Sequence, residues 1–196
     1  MRLLPRYLNG DQQRGLLAEI RAVLAEAPLY SPAMPRSGSP YSVRMSNCGS
    51  HGWLSDRGGY RYSPVHPVTG APWPGIPRPV VDLWHEATGL AYAPQACLIN
   101  YYCPTAKLGL HRDQDEEAKD APILSISLGD SALFRLGGPE RKSPTRSVKL
   151  SSGDLVVLSG PSRHWYHGVD RILPGTSQLL PEGGRFNLTL RRVTTP

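Results

Sequence analysis

The chain has 196 residues, 39% hydrophobic and 19% charged, with a formal net charge of +6, which suits one soluble globular domain with a sizeable core and a polyanionic partner. Its three cysteines (Cys48, Cys97 and Cys103) form no Cys-x-x-Cys pair, so neither a disulfide framework nor a zinc knuckle is implied and a reducing compartment fits. No run of eighteen apolar residues occurs and the first apolar stretch is too short for a signal peptide, which argues against a helical membrane span and for a cytoplasmic protein.

Gly and Pro stand at 20 each, favouring turns and short strands over helices. Asp11 can cap a first helix running to about Ala27, because Leu16, Leu17, Ile20, Val23 and Leu24 make one apolar stripe at helical spacing and Pro28 stands at its end. A loop from Leu29 to Pro40 follows. From Tyr41 to Tyr62 the chain is rich in Gly, Ser and aromatics and poor in aliphatics, a composition of strands and turns that predicts a flap. The stretch from Arg36 to Arg78 holds five arginines and one acid, Asp56. Cations suit phosphates and flat rings suit unstacked bases; aromatic packing against the rest of the domain explains the rings equally well. Ser63 to Arg78 is a proline-rich stiff connector. Val80 to Thr88 predicts a second helix, with Pro79 in its first turn and Gly89 past its end; its Trp84 reads as core.

From Gln95 the apolar period changes to two. Strands are expected at Ala96–Tyr102, Ile123–Leu128, Ala132–Leu136, Val148–Leu150, Leu155–Leu158, Trp165–Ile172 and Arg185–Arg192, with Gly-Asp turns between several of them. Short strands at this spacing argue a sandwich or jelly roll, so the expected fold is mainly β with flanking helices.

Chemistry concentrates between Asn100 and Glu117. His111 and Asp113 stand two apart on an extended segment and should project to one side. Tyr166-His167-Gly168 offers a second imidazole, with His164 as rival. Two His and one carboxylate hold non-haem Fe(II) on three corners and leave three open. In the last strand one face carries Arg185, Asn187, Thr189 and Arg191, the other Phe186, Leu188, Leu190 and Arg192. We read the polar face as lining a pocket for an anionic ligand, since arginine grips carboxylates with parallel hydrogen bonds. Asn100 and Tyr102 share a face of their own strand.

Taken together, Asn100-x-Tyr102, His111-x-Asp113-x-Asp115-Glu116, Tyr166-His167-Gly168 and Arg185-x-Asn187-Leu188-Thr189-x-Arg191 resemble the AlkB family of Fe(II)/2-oxoglutarate dioxygenases, as do Asn47-Cys48-Gly49 and Gly59-Tyr60-x-Tyr62-Ser63-Pro64 upstream. The motifs fall in order from about Tyr41 to Arg192. The resemblance implies a double-stranded β-helix (jelly roll) with an N-terminal nucleotide-recognition lid. It implies a single domain, 1–196, with a helix and loop at 1–40, the lid at 41–78 and a helix plus jelly-roll core at 79–196. Iron falls to His111, Asp113 and His167. Arg185 and Tyr102 take the far carboxylate of 2-oxoglutarate, and Asn100, Asn187 and Arg191 line the same pocket, with the partner of the metal-bound carboxylate left open. Trp53, Tyr60, Tyr62, Met45, Asp115 and Arg141 fall on the substrate side.

The reaction so implied consumes O2 and 2-oxoglutarate, releases succinate, and removes N-methyl groups from 1-methyladenine and 3-methylcytosine as formaldehyde. Those bases are cations, which a carboxylate at Asp115 and the face of Trp53 would favour. Single- or double-stranded DNA is the expected partner of a monomer, with RNA as the alternative. Two other readings are the same chemistry on a non-nucleic-acid substrate and a metal-free nucleic-acid-binding module. Arg112, where relatives often carry Gln, should face away from the metal by alternation.

Overall fold

Alternating strands do close into two stacked sheets in the computed structural model, which describes residues 1–195. In chain order the elements are β1 (Arg2–Leu4), α1 (Gly10–Glu26), β2 (Arg44–Gly49), β3 (Gly52–Asp56), β4 (Gly59–Ser63), α2 (Arg78–Thr88), β5 (Ala96–Tyr102) and β6 (Leu108–His111). Then come β7 (Ile123–Gly129), β8 (Ser131–Leu136), β9 (Arg146–Leu150), β10 (Leu155–Leu158), a 3-10 turn (Gly160–His164), β11 (His167–Leu173) and β12 (Arg185–Arg191). The major sheet has the order β1-β10-β7-β12-β5-β2 and the minor sheet β6-β11-β8-β9, while β3 and β4 form a separate hairpin. Every strand pairing is antiparallel. This is a jelly roll, and the protein is mainly β with two flanking helices. Among the described residues no helix is long and apolar enough to cross a membrane.

The major sheet divides its two faces by residue parity. Cys97 and Ile99 of β5, Leu124 and Ile126 of β7, and Phe186, Leu188 and Leu190 of β12 pack with Leu16, Ile20 and Val23 of α1 and Val80, Leu83 and Trp84 of α2. The intervening residues point the other way, into the space between the sheets. That inner face is where polar residues gather. Trp84 is fully buried and its indole N–H donates to Tyr92 O at 2.9 Å. Trp84→Ala should therefore cost about 3–5 kcal/mol, measurable as a lowered urea midpoint at unchanged slope.

Three local expectations need correction. Asn9, not Asp11, caps α1: its side chain accepts from Gln12 N at 2.9 Å while Gln12 Oε1 accepts from Asn9 N at 2.9 Å, a reciprocal pair that satisfies two free donors. Asp11 lies in the first turn, where its charge complements the helix dipole. Secondly, α2 begins at Arg78, with Pro79 at its start and Gly89 left-handed (φ 73°) at its end.

The third correction concerns the flap. Its first part, β2, is a sheet strand paired along β5, with Met45, Ser46, Asn47 and Cys48 all buried. Polarity disguised it. Ser46 Oγ donates to Ala27 O at 2.6 Å, and Asn47 donates to Trp53 O and accepts from Trp53 N, so both polar side chains are buried at little cost. What remains outside the sheet is the β3–β4 hairpin. Trp73 anchors it from the connector: its indole donates to Ser63 O at 2.9 Å, and its ring lies so close that a Cβ on Gly52 would stand 2.4 Å from it.

Candidate active site

Strand register brings the two histidines together. His167 opens β11 directly opposite His111 at the end of β6, with ring centroids 4.6 Å apart. Gly168 permits this approach, because a Cβ there would meet Leu108 O at 2.5 Å and Gly109 O at 2.8 Å. Gly168→Ala should push β6 from β11 and weaken Mn(II) binding by about ten-fold or more, as read by a metal titration.

Asp113 completes the set: Oδ1 lies 3.7 Å from His111 Nε2 and Oδ2 3.9 Å from His167 Nε2. All three ligand atoms fall within 4.8 Å of one another. Alternation is not what places it, since β6 ends at His111. Two arginines do so. Arg191 Nη2 donates to Asp113 Oδ2 at 2.9 Å, and Arg163 Nη1 donates to the Asp113 carbonyl at 3.0 Å.

Each imidazole is prepared as a ligand. Nδ1 of His111 lies 2.9 Å from Gly109 O and Nδ1 of His167 lies 3.0 Å from Trp165 O. Both Nδ1 atoms thus carry the proton, leaving Nε2 bare toward the centre. Burial, and then the neighbouring His111, lower the pKa of His167 to about 4, so it is neutral at pH 7. Burial acts to raise the pKa of Asp113, but Arg191 and the two histidines outweigh it and hold the carboxyl below its usual range. His164, the rival ligand, ends the 3-10 turn and is not part of the set.

Beside the triad, the inner face of β12 carries Arg185, Asn187, Thr189 and Arg191 into a cavity of about 620 Å³. Arg185 and Asn187 pair in register with Tyr102 and Asn100 of β5. Arg185 is 1% exposed, and its guanidinium meets only Ser127 Oγ (2.6 Å) and the carbonyls of Asp130 and Leu150. Burial pulls its pKa down to about 10, outweighing the opposing influence of Tyr102 and Asp154. A cation without an anion is costly in such a place.

Among the described residues, the buried side-chain atoms left without a hydrogen-bond partner are Asn100 Oδ1, Arg185 Nε and Arg191 Nη1. All three residues line this cavity. A dicarboxylate fits what is missing, supplying the anion that Arg185 lacks and acceptors for two orphan N–H groups. Asn187 is otherwise engaged, donating to Ser125 Oγ and Ile126 O and accepting from Thr189. Arg191 is divided between Asp113 and Glu116.

At the mouth, Trp53 of β3 and Tyr60 of β4 stack with centroids 5.7 Å apart at 18°. The Trp53 indole N–H donates to Asp115 Oδ2 at 2.8 Å. Arg141 and Arg112 lie over the Tyr166 ring, 6.0 and 5.6 Å from its centroid. Arg112 therefore reaches the cavity rim, where it also donates to Gln114. Met45 is buried in the cavity wall beside Asn100. Tyr62 is not at the mouth: it reaches inward and its hydroxyl donates to Glu116 Oε1 at 2.5 Å.

Sequence reading missed Glu116 and Arg163. The first stands in an acidic run and the second in a loop, yet both are buried and their side chains meet at 2.9 Å. No local pattern marks a buried ion pair, because burial is decided by what packs over it.

A model of the 2OG-Fe(II) oxygenase superfamily matches residues 1–191. Fold, triad and anion pocket together define an Fe(II)- and 2-oxoglutarate-dependent dioxygenase. The chain is 50% identical over 191 residues to the alpha-ketoglutarate-dependent dioxygenase AlkB homolog of Caulobacter vibrioides, covering 97% of this chain and 86% of that one. To AlkB of Escherichia coli strain K12 it is 42% identical over 196 residues, covering 97% and 89%. The solved structure of OsALKBH1 matches with a TM-score of 0.84 at 30% identity, covering 97% of this chain and 95% of that one. The chain belongs to the AlkB family of these oxygenases.

Proposed function

We propose that this dioxygenase demethylates N-methylated bases in nucleic acid, acting on 1-methyladenine and 3-methylcytosine and releasing formaldehyde and succinate. The observation that carries this reading is the stacked Trp53–Tyr60 pair at the cavity mouth, with Asp115 fixed by the Trp53 N–H. A half-buried Trp53 stacked with an exposed Tyr60 beside a carboxylate suits a flat cation, which is what these methylated bases are. Bound Fe(II), with O2 and 2-oxoglutarate, supplies the oxidising power. His111, Asp113 and His167 hold the metal; Arg185 and Tyr102 take the far carboxylate of the co-substrate, and Asn100 and Arg191 offer the remaining contacts. Trp53, Tyr60, Asp115, Met45 and Arg141 receive the base. We reassign Tyr62 from base contact to support of the hairpin.

A target base must leave its stack at a cost of a few kcal/mol, and stacking on an aromatic platform returns about 1–3 kcal/mol. The exchange is close to balance, so a lesion that cannot pair is extruded most readily. Formaldehyde release on methylated DNA and RNA oligomers, run side by side, tests the proposal. Co-substrate turnover without formaldehyde from either would direct the search to a non-nucleic-acid substrate. We place the enzyme in the cytoplasm as a monomer, with 1–196 one domain.

Trp53→Ala should weaken binding of a methylated oligomer by about 1–3 kcal/mol without altering its salt dependence. Asp115→Asn keeps an acceptor for the Trp53 N–H but loses the charge. It should cost more for cationic 3-methylcytosine than for neutral 3-methylthymine; equal losses on both bases would remove Asp115 from recognition. Salt dependence itself should be modest. Arg61 is bound to Asp56 and Arg78 to Asp82, leaving Arg36, Arg44 and Arg57 of the basic segment without ion pairs among the described residues. Three phosphate contacts on single-stranded DNA give a log–log slope of about −2, against about −3.5 for all five.

A further inference from the structure

We propose that Glu116 and Arg163 are positioning residues that couple the β3–β4 hairpin to the metal ligand Asp113. The inference rests on the reading of that hairpin as the base-recognition element. Glu116 is 3% exposed and its carboxylate is fully engaged. Oε1 accepts from the Tyr62 hydroxyl at 2.5 Å and lies 3.3 Å from Arg191 Nε, while Oε2 accepts from Arg163 Nη2 at 2.9 Å. Arg163 in turn donates through Nη1 to the Asp113 carbonyl at 3.0 Å and through Nε to Ala121 O at 2.9 Å.

Asp113 is thus held at both ends. Arg163 fixes its backbone and Arg191 its carboxylate, and Glu116 contacts both arginines. Tyr62 extends this chain into β4 of the hairpin. Two arginines and two carboxylates taken out of water add little to stability compared with an apolar core of the same volume. Their geometry has a clearer use. A carboxylate ligand on an irregular segment just past the end of β6 needs an outer set of partners to hold its direction, and this network supplies it. A hairpin that shifts on binding a base pulls on the same carboxylate, so base recognition and the metal site share one support.

The test is Mn(II) affinity, read by electron paramagnetic resonance on the whole protein without turnover, with far-UV circular dichroism as the check on folding. Glu116→Gln should lower Mn(II) affinity about ten- to hundred-fold, as loss of an outer partner does elsewhere. Tyr62→Phe removes one hydroxyl and little packing, and should lower it about three-fold. The double variant should bind no more weakly than Glu116→Gln alone, because both changes cut one chain. Wild-type affinity in Glu116→Gln, or strictly additive losses, would overturn the coupling. Should Glu116→Gln fail to fold, Tyr62→Phe decides alone, and unchanged affinity there overturns the proposal. Lack of Mn(II) binding by the wild type would strike the active-site reading instead, which separates the two failures.

Discussion

His111→Ala is expected to abolish turnover and weaken Mn(II) or Fe(II) binding by more than about a hundred-fold, with little loss of stability. Of the three ligands it is the least committed to the fold: its side chain is 37% exposed, and its one hydrogen bond is local, to Gly109 O. Removing it leaves one imidazole and one carboxylate, too few to hold a divalent ion on three corners. Asp113→Ala should be equally inactive but less stable. It leaves the buried Arg191 with only Glu116 as counter-charge, and breaking a buried pair from one side costs about 3–5 kcal/mol. Metal titration together with a thermal melt distinguishes the two variants. Wild-type metal affinity in both would sink the triad assignment.

Arg185→Ala should raise the 2-oxoglutarate requirement by about ten- to 150-fold, the worth of a hydrogen bond to a charged group at 1.5–3 kcal/mol. Affinity for a methylated oligomer should hardly change, because Arg185 lies on β12 at the register of Tyr102, deep in the cavity and away from the Trp53–Tyr60 platform. The protein without co-substrate should lose little stability, since the guanidinium it gives up is buried without an anion. The stabilisation that 2-oxoglutarate confers on the wild type, about 2.7 kcal/mol at a hundred times Kd, should fall to about 0.3–1.4 kcal/mol at the same concentration. Kinetics in which only the nucleic-acid constant moved would place Arg185 in the substrate channel.

Much of this site was legible in residues 95 to 192. Side-chain alternation in a strand is a local property with period two. The sequence therefore determined that Arg185, Asn187, Thr189 and Arg191 share one face, and that Phe186, Leu188 and Leu190 share the other. The same rule paired Asn100 with Tyr102. The other strands of the sheets and the helices that cover them followed from periodicity and from Pro and Gly at their ends, but β2 read as part of a flap, and β1 and β6 are only three and four residues long.

Only the tertiary structure decided what each polar group meets. It sent Arg191 to Asp113 and Glu116, turned Tyr62 away from the mouth, and brought Arg112 and Arg141 to one tyrosine ring. It also drew β2 into the major sheet, where Ser46 finds the carbonyl of Ala27 and Asn47 the backbone of Trp53. The strength of a hydrogen bond or ion pair depends on the water excluded around it. That exclusion comes largely from residues distant in sequence, as Arg191 is 78 positions from Asp113 and Tyr62 54 from Glu116, and no window of neighbouring sequence contains them.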